Sequence, residues 1–395
     1  MFSRGNIFLS FLFSALLLSS SSVQQKIQWQ GKTYEEDQVT VLKNPQEPLY
    51  GEISLELEVD LIIGDENEFP FYNRGIHADV DSHGNIFILD IEKCCVFSFN
   101  KEGKYMNSFG KRGQGPGEFE RPLLLYLDPE DLIYVNEIYE IDVFNSAGEY
   151  IRSIKSQDFI AYQFRVTLNG NIFAERPSFS STNKTLDFIL YDSVGNLIKK
   201  VCSFPSKRQP RIPGIEIQTL IFPMLWSGTL NEELSFYGYS DSYRFYIIDQ
   251  QGETVRIIEK DEKPVPITKS LRKEFLNDLE IGYKEQGVSS DKIKWALDRV
   301  KSELEFPEHM PYYYKVLADD KGRIYVQKID SVFNKNELES FDLFNSIGYY
   351  LYKVKIPLRP SLIRNGYLYK IKHEEETGYK KFIRYKITNW NEIKN

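Results

Sequence analysis

The feature that most constrains this chain is a hairpin pattern that occurs five times along its length. Each copy is an apolar strand, an Asn or Asp, a Gly three residues later, and then a second strand. The copies lie at residues 96–103, 141–148, 188–195, 245–252 and 341–348. Six positions after the Gly, every copy has an apolar residue, namely Phe109, Ile154, Val201, Ile258 or Val354. Repetition on this scale predicts an array of similar supersecondary units.

A second strand pair precedes each hairpin. In residues 76–90 a polar turn separates a first strand from an alternating apolar strand, and residues 125–137, 165–173 and 316–326 follow the same pattern. The repeating unit is therefore four antiparallel strands, which is the blade of a β-propeller. Such a blade is apolar on both faces and needs a neighbour on each side. The aromatic content of 14% agrees with this requirement.

The number of repeats predicts six blades. Five are complete, and residues 361–363, 366–371 and 381–388 supply three strands of a sixth. Residues 53–63 alternate between apolar and polar side chains, so we assign them as the missing outer strand. The predicted fold is all-β: a six-bladed β-propeller of four-stranded antiparallel blades at residues 51–395, closed by an N-terminal strand. Residues 23–50 would form an extension outside the ring.

The long interval between the fourth and fifth hairpins predicts an insertion. From about residue 268 to residue 305, apolar residues recur at helical spacing, beginning with Leu271, Phe275 and Leu279. Ser289 and Ser290 can cap a second helix. We predict a helical hairpin between blades 4 and 5, which is either a lid over one face of the ring or a packing insert.

The N-terminus has the pattern of a secretory signal peptide. Arg4 precedes an apolar run from residue 7 to residue 18 and then four serines, so residues 1–22 are predicted to be the signal peptide. An uncleaved anchor is the alternative, but the run is short for a bilayer. We expect an exported, periplasmic or extracellular protein with no stable membrane span after cleavage. The three cysteines, Cys94, Cys95 and Cys202, do not form a disulfide framework.

Composition and motifs argue against several classes of function. The net charge is −8 and no basic stripe is present, so nucleic acid is not an expected partner. The sequence has no Gly-x-Ser-x-Gly nucleophile motif and no zinc-ligand spacing, so we assign no catalytic residue. We expect a monomer.

The first blade resembles a known type of propeller. Its residues 75–90, 99–103 and the Gly-rich 109–122 are similar to the NHL-repeat type and look like a family of exported bacterial six-bladed propellers, most without assigned function. NHL-like propellers include binding scaffolds and a few lyases and lactonases. The resemblance therefore implies a fold and not an activity.

Strand direction places the second-strand ends and the connections between blades on one face, called here the top face. Asp90, Glu137 and Glu175 end second strands there, and we predict a partial acidic ring that binds ligand together with Arg112 and Arg121. Such a ring would suit Ca²⁺, or could act on a sugar or lactone. Alternatively, each carboxylate caps its own loop or pairs with a nearby arginine.

Two other motifs have structural interpretations. The Gly-rich loop at residues 110–122 lacks the ending of a P-loop, so we expect tight turning, with Phe119 filling apolar space between blades. His77, Asp79, Asp81 and His83 share one strand face, but seven strand residues span about 20 Å, too far for one ion. We therefore predict no metal site on this strand, and interpret His77 as a hydrogen-bonded residue between blades.

The favoured function is a binding or interaction scaffold that recognises a small molecule, a glycan or a protein on the top face. One alternative is a metal-assisted lactonase or lyase that uses the acidic ring with Ca²⁺. The other is a structural component of a cell-envelope assembly. We favour the scaffold because a fold alone does not select an activity. This hypothesis requires no cofactor, and Ca²⁺ is a possible one.

Overall fold

The computed structural model describes most of the chain beyond the predicted signal peptide, which lies outside the described residues. The described ranges are 28–64, 69–71, 75–137, 139–155, 163–179, 184–206, 221–285, 287–328, 338–374 and 377–395. Among these residues no helix is both long enough and apolar enough to cross a membrane.

The N-terminal segment and the first three blades contain sixteen strands in all. The N-terminal strands are β1 Lys32–Glu36, β2 Val39–Asn44, β3 Glu52–Ser54 and β4 Leu57–Ile63. Blade 1 consists of β5 Ile76–Val80, β6 Ile86–Asp90, β7 Cys95–Phe99 and β8 Tyr105–Phe109. Blade 2 consists of β9 Leu124–Leu127, β10 Ile133–Asn136, β11 Glu140–Phe144 and β12 Tyr150–Lys155. Blade 3 consists of β13 Gln163–Val166, β14 Ile172–Phe179, β15 Lys184–Tyr191 and β16 Leu197–Pro205.

The second half of the ring adds the helices. Blade 4 consists of β17 Leu225–Thr229, β18 Ser235–Tyr239, β19 Arg244–Ile248 and β20 Thr254–Lys260, followed by α1 Lys269–Glu285 and α2 Ser290–Glu303. Blade 5 consists of β21 Tyr313–Ala318, β22 Ile324–Lys328, β23 Glu339–Phe344 and β24 Tyr350–Ile356. Blade 6 takes β25 Leu362–Arg364, β26 Tyr367–His373 and β27 Lys380–Ile387, and a 3-10 helix, Trp390–Glu392, follows.

The predicted fold class is confirmed. Within each blade, consecutive strands pair antiparallel, and β4 pairs antiparallel with β27 to complete blade 6 from the other end of the chain. The ring is therefore six four-stranded blades closed by an N-terminal strand. The helical hairpin is also confirmed at the predicted place, where Ile293 and Val300 of α2 pack into a buried cluster with Ile221 and Met310. Ser289 occupies the N-cap position of α2, although its side chain makes no capping hydrogen bond.

The N-terminal segment runs along the outer edges of three blades. Strand β2 pairs parallel with β20 of blade 4 and antiparallel with β1, while β3 pairs parallel with β24 of blade 5. The prediction of one continuous strand over residues 53–63 is therefore wrong in its first part, because residues 52–54 lie on blade 5. Leu55, which is buried, lies where the chain passes from blade 5 to blade 6.

The cores lie between blades, and the repeated glycines explain how blades approach each other. An added Cβ on three hairpin glycines would come within 3.1 Å of the apolar residue that follows the hairpin of the preceding blade. These pairs are Gly148 with Phe109, Gly252 with Val201 and Gly348 with Ile258. At Gly103 of blade 1, where φ is +80°, the corresponding neighbour is Leu61 of β4, at 2.4 Å. Leu61 of blade 6 thus makes the contact that Phe109, Val201 and Ile258 make from the fourth strands of blades 1, 3 and 4.

The Gly-rich loop has the predicted structural role. Phe119 is fully buried in the apolar cluster between blades 1 and 2, together with Phe144. Gly110 has a φ of +79°, and a Cβ there would lie 2.2 Å from the Phe119 ring. Because Gly110 has no side chain, the loop can pass close to the aromatic ring of Phe119, which fills the space between blades 1 and 2.

Candidate ligand-binding site

The innermost strands of all six blades surround a central cavity of about 400 Å³. Cavities of this size accommodate small molecules in many proteins. Its lining residues include the aromatic residues Tyr126, Phe164 and Trp226, of which Phe164 has its ring buried in an apolar cluster with residues of blades 2 and 3. The charged and imidazole side chains of the wall are those of His77, Asp79, Arg165, Lys315 and Arg364. In the described residues, neither helix contributes to this lining.

Lys315 of β21 is a half-buried cation in the cavity wall. Its ammonium donates a hydrogen bond to the carbonyl oxygen of Pro360 at 2.7 Å. Burial lowers the pKa of Lys315 to about 8, and the positive charge of Arg359 acts in the same direction. The nearby Arg359 is itself paired with Glu339 at 3.1 Å. Lys315 therefore keeps its charge at neutral pH, and no described residue places a carboxylate within ion-pair distance of it.

Arg165 of β13 enters the wall from blade 3. Its guanidinium donates to the backbone carbonyl of Phe164 at 2.6 Å and, more weakly, to that of Ser227 at 3.4 Å. The guanidinium carbon also lies 5.5 Å from the centre of the Tyr126 ring. These neighbours orient the guanidinium with neutral oxygens and an aromatic face, so its charge is not neutralised by them.

Arg364 of blade 6 differs from the other two cations because it faces a carboxylate. Its guanidinium lies 3.8 Å from Asp79 of β5 and donates to the carbonyl oxygen of Val80. Asp79 also accepts a hydrogen bond from the amide of Leu127 at 3.0 Å. The pair thus links blades 6, 1 and 2 at the wall of the cavity.

His77 and Tyr126 contribute neutral polar groups to the wall. The imidazole of His77 accepts a hydrogen bond from the amide of Leu125 at 3.3 Å, which agrees with the predicted role between blades. Burial lowers the pKa of His77, although the charge of Asp79 opposes the change, so the neutral form is favoured. The hydroxyl of Tyr126 lies 3.3 Å from that of Thr229.

Glu175 lies behind the cavity wall rather than on a rim. Its carboxyl accepts a hydrogen bond at 2.6 Å from the hydroxyl of Ser227, which lines the cavity. Burial raises the pKa of Glu175 to about 7, while the Ser227 hydrogen bond and the charge of Arg165 oppose the rise. Of the three predicted acidic residues, Glu175 alone is connected to the cavity by a contact described here.

Asp90 and Glu137 are buried and cap loops of the top face. Asp90 accepts hydrogen bonds from the amides of Glu92 and Lys93 at 3.0 and 2.9 Å. Glu137 accepts them from the amides of Glu120 and Arg121 at 3.1 and 3.2 Å, and burial raises its pKa. The capping alternative from the sequence describes both residues, and neither is part of the cavity lining.

The two predicted arginines also lie outside the cavity lining. Arg112 donates to the carbonyl oxygen of Glu92 at 2.9 Å and so joins the Gly-rich loop to the top of blade 1. The Arg121 side chain is exposed, and its backbone amide is the group that contacts Glu137. The structure does not bring the five predicted residues together at one point.

The cavity residues were missed because the sequence argument followed the ends of second strands. A signal was nevertheless present on the innermost strands, where Asp79, Arg165, Lys315 and Arg364 interrupt apolar patterns. An innermost strand lies at the axis of a ring and has no outward face toward bulk water. Charged side chains on such a strand therefore indicate a polar central channel.

One group with the composition of a metal site occurs among the described residues, on the face opposite the top. Ligand atoms of Asp81, His83 and Asp131 all lie within 4.8 Å of one another. Asp81 already accepts two backbone hydrogen bonds within its turn, and Asp131 accepts a hydrogen bond from the hydroxyl of Ser82 at 2.6 Å. These bonds give the carboxylates a structural role in joining the turns of blades 1 and 2.

Comparison with known proteins supports the architecture. Residues 74–348 match the model of the DUF5128 family, described as a 6-bladed beta-propeller. The chain belongs to this family. No curated protein matches the chain. The family assignment agrees with the blades seen here, and it carries no activity.

Solved structures with similar folds share little sequence with this DUF5128 protein. A presumed exported protein from Bacteroides fragilis is 13% identical, with a TM-score of 0.49, 88% of this chain covered and 99% of the other. A DUF4221 member from Bacteroides vulgatus is 12% identical, with a TM-score of 0.48 and coverages of 86% and 99%. The calcium-binding protein regucalcin from Agrobacterium tumefaciens is 9% identical, with a TM-score of 0.40 and coverages of 85% and 96%.

Proposed function

We propose that this protein is an exported, monomeric binding scaffold whose ligand enters the central cavity from the top face of the ring. The observation that supports this most directly is the cavity of about 400 Å³ where all six blades meet. Its wall combines aromatic surface with convergent polar groups, which is the usual composition of a small-molecule site. The pattern of residues 1–22 supports export.

The loops of the top face would surround the entrance. Ser361, which is exposed, lines the cavity and directly precedes β25. Because innermost strands run from the top face toward the opposite face, Ser361 lies at the top-face end. Asp90, Glu137, Arg112 and Arg121 would then shape the entrance through their loops, while Glu175 would support the wall through Ser227.

Retention of small molecules tests this proposal. The full mature chain is incubated with a small-molecule extract of its native medium, passed through a desalting column, and the retained compounds are identified by mass spectrometry. A Ser361→Trp variant should narrow the entrance and lose the compound that the wild type retains. Ser302→Trp, on the exposed side of α2, is the matched control and should retain it.

Two results would contradict the proposal. The first is a compound that Ser361→Trp retains as well as the wild type does, because the ligand would then lie elsewhere. The second is the retention of no compound by the wild type while proteins of the native envelope bind it. That result would favour the interaction or structural alternatives.

A further inference from the structure

We propose that the ligand of the central cavity is a small organic acid, and that Lys315 and Arg165 bind its carboxylate groups. This inference rests on the proposed function, because it names the class of ligand for the same cavity. The evidence for an organic acid is the set of charged side chains in the wall, together with the hydrogen bonds and ion pairs that they make.

The wall has an excess of positive charge. Among the described residues, the wall carries the cations Arg165, Lys315 and Arg364 and one carboxylate, Asp79. Asp79 faces Arg364 at 3.8 Å. Within the described part of the chain, no carboxylate oxygen lies within 4.0 Å of the other two cations. An anionic ligand would supply the charge that the wall lacks.

Of the two cations, Lys315 provides the stronger evidence for an anionic ligand. A partly buried ammonium loses hydration, and this loss is normally offset by a paired anion. The only hydrogen-bond acceptor of its ammonium among the described residues is the Pro360 carbonyl. Two donor positions of the ammonium are therefore available to a ligand.

The arrangement favours carboxylates over a single phosphate group. Lys315 belongs to blade 5 and Arg165 to blade 3, with blade 4 between them, so they approach a ligand from different sides. The Arg165 guanidinium already donates to three oxygens, those of the Phe164 and Ser227 carbonyls and of the Gln163 side-chain amide, which leaves fewer of its donors available to a phosphate group. Separate, singly charged groups on one ligand suit this distribution better than one doubly charged group.

Calorimetric titration of the full mature chain with matched pairs tests the inference. The pairs are succinate with succinamide, and D-glucuronate with D-glucose, and D-glucose 6-phosphate is included as the phosphate probe. We expect the carboxylate member of at least one pair to bind about tenfold or more tightly than its neutral partner. The phosphate probe should bind more weakly than that carboxylate.

Substitutions connect the result to Lys315. Lys315→Met keeps the length of the side chain and removes its charge, so it should weaken carboxylate binding by about tenfold or more. Lys315→Arg should retain part of the affinity. Lys381→Met removes a top-face lysine outside the cavity lining that pairs with Glu374, and its affinity should equal that of the wild type. Urea unfolding of each variant shows whether it is folded.

Equal binding of the neutral partners, or unchanged affinity in folded Lys315→Met, would overturn the inference and leave the cavity as a binding site for another class. Tighter binding of the phosphate probe would overturn the choice of carboxylate. If no probe binds, the organic-acid assignment fails. The retention experiment with Ser361→Trp then decides separately whether the cavity binds any ligand.

Discussion

At the scale of single residues, burial sets the properties of the groups around the cavity. Glu175 and Lys315 lie close to the same wall, and burial shifts each pKa toward neutrality from opposite sides, to about 7 and about 8. Burial disfavours the charged form of both groups. Stability or ligand binding should therefore change with pH near neutrality, where an exposed Glu or Lys would not titrate.

Glu175 should make the fold less stable as the pH rises. Its pKa is raised from 4.5 to about 7 in the folded state, so the folded carboxyl holds its proton more firmly. The associated stabilisation is present below about pH 4.5 and is lost as the pH rises through about 7. Glu175→Gln keeps an acceptor for Ser227 and removes the charge. We expect the free energy of unfolding of this variant to exceed that of the wild type by roughly 1–3 kcal/mol at pH 8 and to match it near pH 4.5.

Urea unfolding at the two pH values measures this difference. Glu102→Gln, a substitution at an exposed turn, is the control and should match the wild type at both. A Glu175→Gln variant that is no more stable than the wild type at pH 8 would show that the folded protein holds the ionised carboxylate without cost.

Lys315 should make ligand binding depend on pH in the alkaline range. The cation loses its proton as the pH rises through about 8, so the affinity for a carboxylate should fall above that pH. Among the described residues, Arg359 is the charged group that acts on Lys315, and His77, which the Lys315 charge affects in turn, stays neutral there because its own pKa is lowered. Titrations from pH 6.5 to 9.5 should show the fall in the wild type and not in Lys315→Arg. A wild-type affinity that does not change with pH would contradict a role for Lys315 in binding the carboxylate.

At the scale of elements, the N-terminal strands are held by a few buried polar contacts. The Asn44 side chain donates to the carbonyl of Gly348 at 2.8 Å and accepts from the amide of Tyr350 at 2.8 Å, so it joins β2 to blade 5. Beside it, Asp342 accepts hydrogen bonds from Lys260 at 2.7 Å and from Tyr243 at 2.6 Å. Burial alone would raise the pKa of Asp342, but the Lys260 ammonium lowers it.

Removing the Asn44 amide should therefore destabilise the seam between blades 4 and 5. Asn44→Ala leaves the Gly348 carbonyl and the Tyr350 amide without these partners, and we expect a loss of about 2–3 kcal/mol in the free energy of unfolding. Lys43→Ala, at the neighbouring position of β2, should cost much less. An Asn44→Ala variant as stable as the Lys43→Ala control would mean that the N-terminal strands are not anchored at this point.

Most elements could be predicted from the sequence because each blade repeats the same strand and turn signals. The step between β3 and β4 could not, because the alternation from Ile53 to Ile63 continues through it without a Gly or Pro. The step is instead fixed by distant partners. The amide of Leu55 donates to Lys355 of blade 5, and the amide of Glu56 donates to Asn389 after blade 6.

At the scale of the whole molecule, closure of the ring depends on Leu61. This residue lies on β4, the strand from the N-terminal segment that completes blade 6. Its contact with Gly103 joins blade 6 to blade 1. The site was harder to foresee than the ring, because a cavity is formed by side chains from strands far apart in sequence. The charges on β13, β21 and β25 acquire a common neighbour only when the ring closes.

A comparison of two glycines tests this seam. Gly103 and Gly51 have similar φ values of +80° and +78°, but a Cβ at Gly51 would meet nothing within 4 Å. Both alanine substitutions should cost about 1–2 kcal/mol for the left-handed conformation. Gly103→Ala should cost more because of Leu61, and adding Leu61→Ala should restore part of that excess. Equal losses in urea unfolding, with no restoration, would contradict a close seam at this point.

The most direct measurement is a crystal structure of the mature protein with the carboxylate probe that binds it most tightly. The expected result is electron density for that molecule in the central cavity, with a carboxylate oxygen within hydrogen-bond distance of the Lys315 ammonium. Density for the probe at the loops capped by Asp90 and Glu137, with only water in the cavity, would contradict the binding role assigned to the centre of the ring.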